Sequence, residues 1–470
     1  MKVLITNPPW LYRKGLSLRF GVRAGSRWPF SYEIPTFYNQ FSSLLKLLKE
    51  KKFKDIYFRV KTKLKKEKEV ALKRPCPIYV PYPIFMGYAT SYLISKGIDA
   101  IFYDAAAEFH NYQTFFKKVK RINPDIIIQE TSSASFNLDL EIAKKLHEKY
   151  EVCLVGPQAT AWAEKIINLP YVDYVLKGAY EYSALEMVRT RRKGIYEYNV
   201  ADLDDLVYPY RDKKIIWHYR DFNCLKKLSF PQLWVYASRG CIFRCDFCLW
   251  VNVMYKHKLS LRKPQNIIDE IDNMVSKYNF KHIYFDDDCF NIGPEERLRE
   301  IADGLNKIGL PWTINARLDL CDKEMFRYFV ERGCVGLRLG VESLSQRFLD
   351  LINKDLKVEE IIDKIKFLEK LDVDLYLLFM HYVPGETEED RKIQEAEIKK
   401  LGHRFQNPPC IPYPGTPYYQ KIIQSGFNLE ELNFEEFDAG NLGNNLINVI
   451  KKFTQHLNQR EFKDNAKTQS

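Results

Sequence analysis

The amino-acid sequence predicts an α/β protein built from two parallel-sheet units. The first is a doubly wound, Rossmann-like sheet and the second an open, partial (β/α)6 barrel. Short apolar runs alternate with helical stripes in two separate stretches, roughly 80–190 and 200–420. The runs end in Gly, Pro or Asn, as strands do when the chain turns into a crossover helix. A chain of 470 residues has room for two or three such domains.

In the first unit, Lys2 to Thr6 reads as a buried strand closed by Asn7-Pro8-Pro9. Tyr82 to Ser95 reads as a helix ending at Gly97, and Asp99 to Tyr103 as a strand. Tyr112 to Ile122 is a helix stopped by Asn123-Pro124, and Asp125 to Gln129 the next strand. Leu138, Ile142 and Leu146 recur every four residues, which predicts a helix over 138–150. Glu151 to Val155 and Val172 to Leu176 complete the predicted strands. Ligands of such a sheet sit at the carboxyl ends of its strands. There the chain carries Thr131 and Ser132, then Gly156-Pro157-Gln158-Ala159-Thr160, then Gly178-Ala179-Tyr180-Glu181.

Asp202 to Arg211 reads as an extended linker. The strands predicted beyond it are Leu233–Ala237, His282–Phe285, Trp312–Asn315, Gly336–Val341, Leu375–Met380 and Arg404–Ile411. Between them run helical stripes such as Ile267, Ile271, Met274 and Ile361, Ile365, Leu368. Six strand–helix units fit a partial barrel, with functional groups at the carboxyl ends of the strands. Three ends carry informative residues: Asp286-Asp287-Asp288, Gly340-Val341-Glu342-Ser343 and Pro384-Gly385-Glu386-Thr387. Adjacent carboxylates repel unless cations or hydrogen-bond donors meet them. The Pro-Gly turn reads as structural, with Glu386 and Thr387 opening the next helix. The predicted division is 1–195 with a basic insertion at 40–76, a linker at 196–230, the barrel at 231–420, and an extension of unassigned role at 421–470.

The densest chemical signal is Cys241-Ile242-Phe243-Arg244-Cys245-Asp246-Phe247-Cys248. Structural zinc is normally closed by four ligands, and neither a second Cys pair nor a nearby His-x3-5-His supplies the fourth. Three thiolates can hold an iron–sulfur cluster but leave one iron without a protein ligand. A reducing cytoplasm suits the ten scattered cysteines, with the triad as metal ligands rather than disulfide partners. No apolar run approaches the roughly 18 residues of a membrane span. The net charge of +11 is concentrated: residues 46–74 hold 13 Lys or Arg against 4 Asp or Glu, a net +9. The rest of the chain carries about +2, so nucleic-acid binding is not expected. In 46–74 leucines and aromatics interleave with lysines, a pattern read either as a solvated helical face or as a peripheral membrane contact.

The spacing Cys-x3-Cys-x2-Cys, with Phe247 before the last thiol, resembles the radical S-adenosylmethionine (SAM) family. Gly340-Val341-Glu342-Ser343, Pro384-Gly385-Glu386-Thr387 and Pro412-Tyr413-Pro414-Gly415-Thr416-Pro417 resemble further motifs of that family. In the first unit, Gly156 to Thr160, Val172-Asp173-Tyr174-Val175 and Gly178 to Glu181 resemble the cobalamin-binding domain fused to many of its members. The second Gly and the first Glu of that pattern are absent. So is the Asp-x-His-x-x-Gly signature that supplies a cobalt-ligating His elsewhere.

The resemblance implies a 4Fe–4S cluster on Cys241, Cys245 and Cys248, with SAM on the fourth iron. It places SAM near Phe247, Asp287, Asp288, Glu342 and Ser343, and cobalamin near Thr131, Ser132, Gly156 and Gln158. It implies reductive cleavage of SAM, hydrogen abstraction from an unactivated carbon, and transfer of a methyl group from cobalamin. Cobalamin-assisted cyclisation or rearrangement of a lipid or tetrapyrrole-type substrate is the alternative. A nucleic-acid methylthiolating enzyme would carry extra N-terminal cysteines and an RNA-binding module, neither evident here. A non-catalytic cobalamin sensor leaves the thiol triad unexplained. The implied partners are a small-molecule or lipid substrate and a low-potential electron donor of flavodoxin or ferredoxin type.

Overall fold

The computed structural model describes residues 1–9, 11–12, 18–19, 31–32, 79–108, 110–132, 135–221, 225–437 and 443–468. The basic segment 46–74 lies outside them.

Six parallel strands form the first sheet: β1 (Lys2–Asn7), β2 (Asp99–Asp104), β3 (Ile126–Glu130), β4 (Glu151–Val155), β5 (Tyr174–Gly178) and β6 (Gly194–Tyr198). Their order is β6-β5-β4-β3-β1-β2. The chain places β2 on one side of β1 and β3 on the other, so the topological switch falls between β1 and β3. Strand β3 reads Ile-Ile-Ile-Gln-Glu and is buried along its whole length, as a parallel strand covered on both faces must be. One face packs on helices Ile84–Ser95 and Glu181–Thr190 through Phe85, Ala89, Leu93 and Met187. The other packs on Tyr112–Ile122 and Phe136–His147 through Phe115, Val119, Ile142 and Leu146. The last of these helices begins two residues earlier than the leucine spacing suggests, where Ser135 Oγ donates to Asp139 at 2.7 Å. The sixth strand has no counterpart among the sequence expectations and runs past residue 195. It is an edge strand, half exposed, so its apolar signal is weak.

The second sheet is also wholly parallel. It contains β7 (Gln232–Val235), β10 (His282–Phe285), β11 (Trp312–Ala316), β12 (Cys334–Glu342), β13 (Asp374–Phe379) and β14 (Arg404–Gln406), in the order β7-β10-β11-β12-β13-β14. Sequential order with helical crossovers is the open barrel expected. Leu233, Ile283, Trp312, Leu337 and Leu377 bury against Ile271, Leu305, Phe329, Ile365 and Ile398 of the outer helices. Strand β14 stops five residues before Ile411, because Pro408 and Pro409 lack the N–H donors a ladder needs. After β7 the chain turns into an antiparallel hairpin, β8 (Ser238–Gly240) with β9 (Leu259–Leu261), that carries the cysteine loop between its arms.

The linker is tied to both units. Tyr79–Val80 pairs antiparallel with Arg220–Asp221. Arg211 and Arg262 both reach Glu270, at 2.9 and 2.6 Å. The C-terminal helix, Asn444–Thr468, buries Leu446, Ile450 and Phe453 against Phe348, Tyr418 and Ile422.

Candidate active site

The cysteine loop leaves β8 at Gly240, whose φ is +96°. A Cβ there would lie 2.1 Å from the Lys258 carbonyl oxygen, so the hairpin closes only over glycine. Cys241, Cys245 and Cys248 then line one cavity at the carboxyl ends of the barrel strands. Cys248 N donates to Cys245 O at 3.1 Å. Asn252 Nδ2 donates to the carbonyls of both Cys245 and Cys248, at 2.9 and 2.8 Å, which fixes the turn between them. Asn252 sits in a π-helical turn, Trp250–Met254, a rare geometry enriched at functional sites. Asp246 anchors the middle of the loop. Its N–H donates to Ile352 O at 3.0 Å, and its carboxylate accepts from Asn353 Nδ2 at 2.8 Å and from Lys421.

The three consecutive aspartates divide their work. Asp286 and Asp288 line the cavity. Asp287 is fully buried and accepts from Ala237 N at 3.1 Å, Ser238 Oγ at 2.6 Å and Ser238 N. Its carboxylate therefore latches the base of the cysteine hairpin to the end of β10, away from the cavity. Asp288 both lines the cavity and accepts from Gly240 N at 3.3 Å.

At the end of β12 the register shifts between Gly340 and Glu342. The bulge leaves Glu342 at φ +66°, left-handed backbone that a non-glycine residue rarely adopts. Glu342 faces the cavity and pairs with Lys354 Nζ at 2.9 Å. Gly340 leaves that pair its space: a Cβ would stand 3.0 Å from Glu342 Oε1 and 3.1 Å from Lys354 Nζ. Ser343 is buried outside the cavity lining, bonded to Gln394 and accepting from Ser345 N at 3.1 Å. Phe247 and Trp250 form apolar walls. Thr387 caps the helix Glu388–Lys400 reciprocally with Asp390, and Glu386 accepts from Tyr382 N.

Sequence reasoning missed Arg317, Lys354, Arg338 and Asp221, all of which line the cavity. Arg317 follows β11, a strand end that the barrel rule flags by position alone. Arg338 points inward from β12, stacks 4.4 Å above the Tyr284 ring and pairs with Asp221 of the linker. Lys354 arrives on a loop that carries no sequence signal.

Burial pushes the Cys241 thiol up to about 12 and Cys248 higher still, with Asp288 and the neighbouring thiols adding to it. Burial raises Cys245 too, opposed by Lys354 and Arg317. Such thiols stay protonated on their own, whereas a bound cation makes them thiolates outright. Among the described residues no three His, Cys, Asp or Glu side chains converge on a single ion. A cubane distributes its protein ligands over separate irons. Three sulfurs facing one cavity, with carboxylates and apolar walls beside them, fit that group.

In the first sheet, Thr131, Ser132, Gly156 and Gln158 come together at the carboxyl ends of β3 and β4, beside the switch point. Thr131 Oγ1 donates to Val155 O at 2.7 Å, and Ser132 bonds Ser135 Oγ at 2.6 Å. Gly156, at φ +108°, would bring a Cβ within 2.6 Å of Thr131 O. Gln158 is buried in the short helix Pro157–Ala161. Thr160 then accepts from Gly178 N at 3.0 Å and approaches Met254 Sδ at 3.5 Å, bringing this edge against the turn that follows Cys248. None of these four residues lines the cysteine cavity.

Residues 235–395 match the radical SAM superfamily. The chain is 26% identical over 388 residues to an uncharacterized methyltransferase of Pyrococcus horikoshii, covering 77% of this chain and 82% of that protein. It is 22% identical over 427 residues to the anaerobic magnesium-protoporphyrin IX monomethyl ester cyclase of Rubrivivax gelatinosus, covering 81% of this chain and 74% of that one. Its fold is similar to that of TsrM from Kitasatospora setae, a radical S-adenosylmethionine methyltransferase solved with cobalamin and a 4Fe–4S cluster bound. The TM-score is 0.59 at 14% identity, over 74% of this chain and 76% of that chain.

Proposed function

We infer that this chain, whose residues 235–395 form a radical SAM domain, is an enzyme that methylates an unactivated carbon of a small molecule with a 4Fe–4S cluster, SAM and cobalamin. The observation that carries the reading is the single cavity shared by Cys241, Cys245, Cys248, Phe247, Asp288 and Glu342 at the carboxyl ends of the barrel strands. When bound, the cluster and SAM supply one-electron, hydrogen-abstracting chemistry and cobalamin supplies the methyl group.

The residues around them do the rest. Cys241, Cys245 and Cys248 would hold the cluster through their thiolates. Asp286, Asp288 and Glu342 present negative charge to the SAM ammonium and sulfonium. Lys354 keeps Glu342 oriented, and the strained backbone at Glu342 re-aims its carboxylate into the cavity. Phe247 and Trp250 exclude water from a site whose reactive species would otherwise be quenched. Tyr284, Arg338, Tyr376, Leu378 and Gln406 line the wall left for substrate. Cobalamin belongs at the switch point of the first sheet. Gly156 lets the loop after β4 pack on the Thr131 carbonyl beside it, and Gln158, Thr131 and Ser132 shape the loops that meet it.

A low-potential flavodoxin- or ferredoxin-type donor provides the electron in this reading. Residues 46–74 would add peripheral contact with an anionic membrane, at about 1 kcal/mol per Lys or Arg near the surface. Co-sedimentation with anionic vesicles that persists after Lys51, Lys52, Lys63, Lys65 and Lys66 are changed to Gln removes that contact from the reading.

Similarity to the cyclase favours a second reading in which the same hydrogen abstraction leads to ring closure. The test is anaerobic reconstitution followed by turnover with methyl-labelled SAM and an extract of candidate substrates. Formation of 5′-deoxyadenosine with label in a product supports methylation. 5′-Deoxyadenosine with an unlabelled, altered product supports cyclisation. No SAM cleavage by cluster-loaded protein refutes both.

A further inference from the structure

The three thiols do not share one electrostatic environment. Cys241 and Cys248 have the Asp288 carboxylate and other thiols as neighbours. Cys245 has two cations beside it, Arg317 and Lys354, together with Glu342. Arg317 Nη1 stands 3.7 Å from Cys245 Sγ, within reach of an N–H···S hydrogen bond. We propose that Arg317 is a positioning residue that donates a fixed N–H···S bond to the Cys245 ligand and thereby raises the reduction potential of the cluster. The proposal rests on the cluster assignment above and says which side chain tunes it.

The guanidinium is held from every other side. Asp319 takes Nε at 3.0 Å and Nη2 at 2.9 Å in a bidentate fork. Nη2 also donates to Lys354 O at 2.8 Å. Its Cζ lies 3.7 Å from the centre of the Phe243 ring, inside the cysteine loop itself. Its own N–H donates to Asn291 Oδ1 at 3.1 Å. Arg317 is 6% exposed and Cys245 7%, so water screens the contact little. A planar guanidinium clamped in this way has a donor direction set before any cluster is present. Hydrogen bonds to ligand sulfur, burial and net charge are the levers that set Fe–S potentials. Reduction adds negative charge to cluster and ligands, and a positive donor at 3.7 Å favours that form. Asp319 neutralises the charge at longer range but does not occupy the arm aimed at sulfur. A purely structural role for Arg317, tying the loop to β11 through Phe243, would leave the potential unchanged.

The experiment compares wild type with Arg317→Lys and Arg317→Gln after anaerobic reconstitution, with iron and sulfide counted in each. Dye-mediated redox titration followed by electron resonance reads the midpoint. The expected result is a lower midpoint in Arg317→Gln. At fixed poise its reduced-to-oxidised ratio falls roughly tenfold, about 59 mV for a one-electron couple, and Arg317→Lys lies between. Equal midpoints at equal iron content overturn the proposal and leave the cluster assignment standing. Wild type that assembles no cluster overturns both. Should neither variant load iron, the reduced wild-type cluster decides. Electron–nuclear double resonance is expected to show nitrogen coupling that disappears in protein made with 15N-arginine and reappears as the 15N signal. No arginine coupling overturns the proposal.

Discussion

Arg239 Nη1 and Glu181 Oε1 stand 2.6 Å apart with both side chains fully buried, one two residues before Cys241 and the other opening the helix after β5. The pair locks the first sheet to the hairpin that presents the thiols. The Arg239 guanidinium also lies 4.1 Å from the centre of the Phe85 ring. Removing one partner strands a buried charge, which costs about 3–5 kcal/mol. Glu181→Gln is expected to lower apo-protein stability by that order in denaturant unfolding. The double change Glu181→Leu with Arg239→Met is expected to lose less than Glu181→Gln alone. Additive losses would mean that the pair acts through two independent contacts.

Asp287 and Asp288 are adjacent but serve different groups. Asp287→Ala removes the acceptor set that holds Ala237 and Ser238, so cluster loading is expected to fall several-fold. SAM affinity of the loaded fraction should stay near wild type. Asp288→Asn is expected to do the reverse: normal iron content and SAM binding weaker by about tenfold, or roughly 1.4 kcal/mol. Iron counts with equilibrium SAM binding read both. Identical behaviour of the two variants would contradict the division of roles.

Burial pushes Asp139 up to about 7, against hydrogen bonds from Ser135 and the Ser132 backbone that favour the charged form. The folded state then binds a proton that the unfolded chain has already released. Its stabilising effect is complete below the ordinary Asp value near 4 and is lost as pH rises through about 7. At about 1.36 kcal/mol per pKa unit, the rise from 3.8 to about 7 makes the loss on the order of 4 kcal/mol. Asp139→Asn is expected to flatten the decline in stability between pH 4 and 7, followed by chemical unfolding across that range. A wild-type profile that rises with pH there would refute the sign.

The loops at the carboxyl ends of β3, β4 and β5 contain no histidine through residue 180. Bound cob(II)alamin is therefore expected to lack nitrogen splitting from an axial protein ligand in its electron-resonance spectrum. Axial nitrogen splitting that disappears on replacing His110, which lies beyond β2, would overturn this.

Much of the fold was legible because it is written in local patterns. The run Ile126-Ile127-Ile128, the stops at Asn123-Pro124 and Gly156-Pro157, and the spacing of Cys241, Cys245 and Cys248 each depend on residues within one turn or one strand. The edge strand Gly194–Tyr198 escaped because an edge buries too little to leave an apolar signature.

By itself the sequence determined the strand–helix alternation, the thiol triad and the strand ends where chemistry would gather. Only the tertiary structure decided which side chains meet there. Period-two alternation permits Asp286 and Asp288 to face one way and Asp287 the other, but the hairpin Ser238–Gly240 selects which side is the cavity. Arg317 reaches Cys245 across 72 residues of chain, and Arg338 reaches Asp221 across 117. Glu181 finds Arg239 across 58. Contacts of that span depend on barrel register, the bulge at Glu342 and the docking of one sheet on the other. No local pattern encodes them, because each is a property of how whole elements pack rather than of the residues beside it.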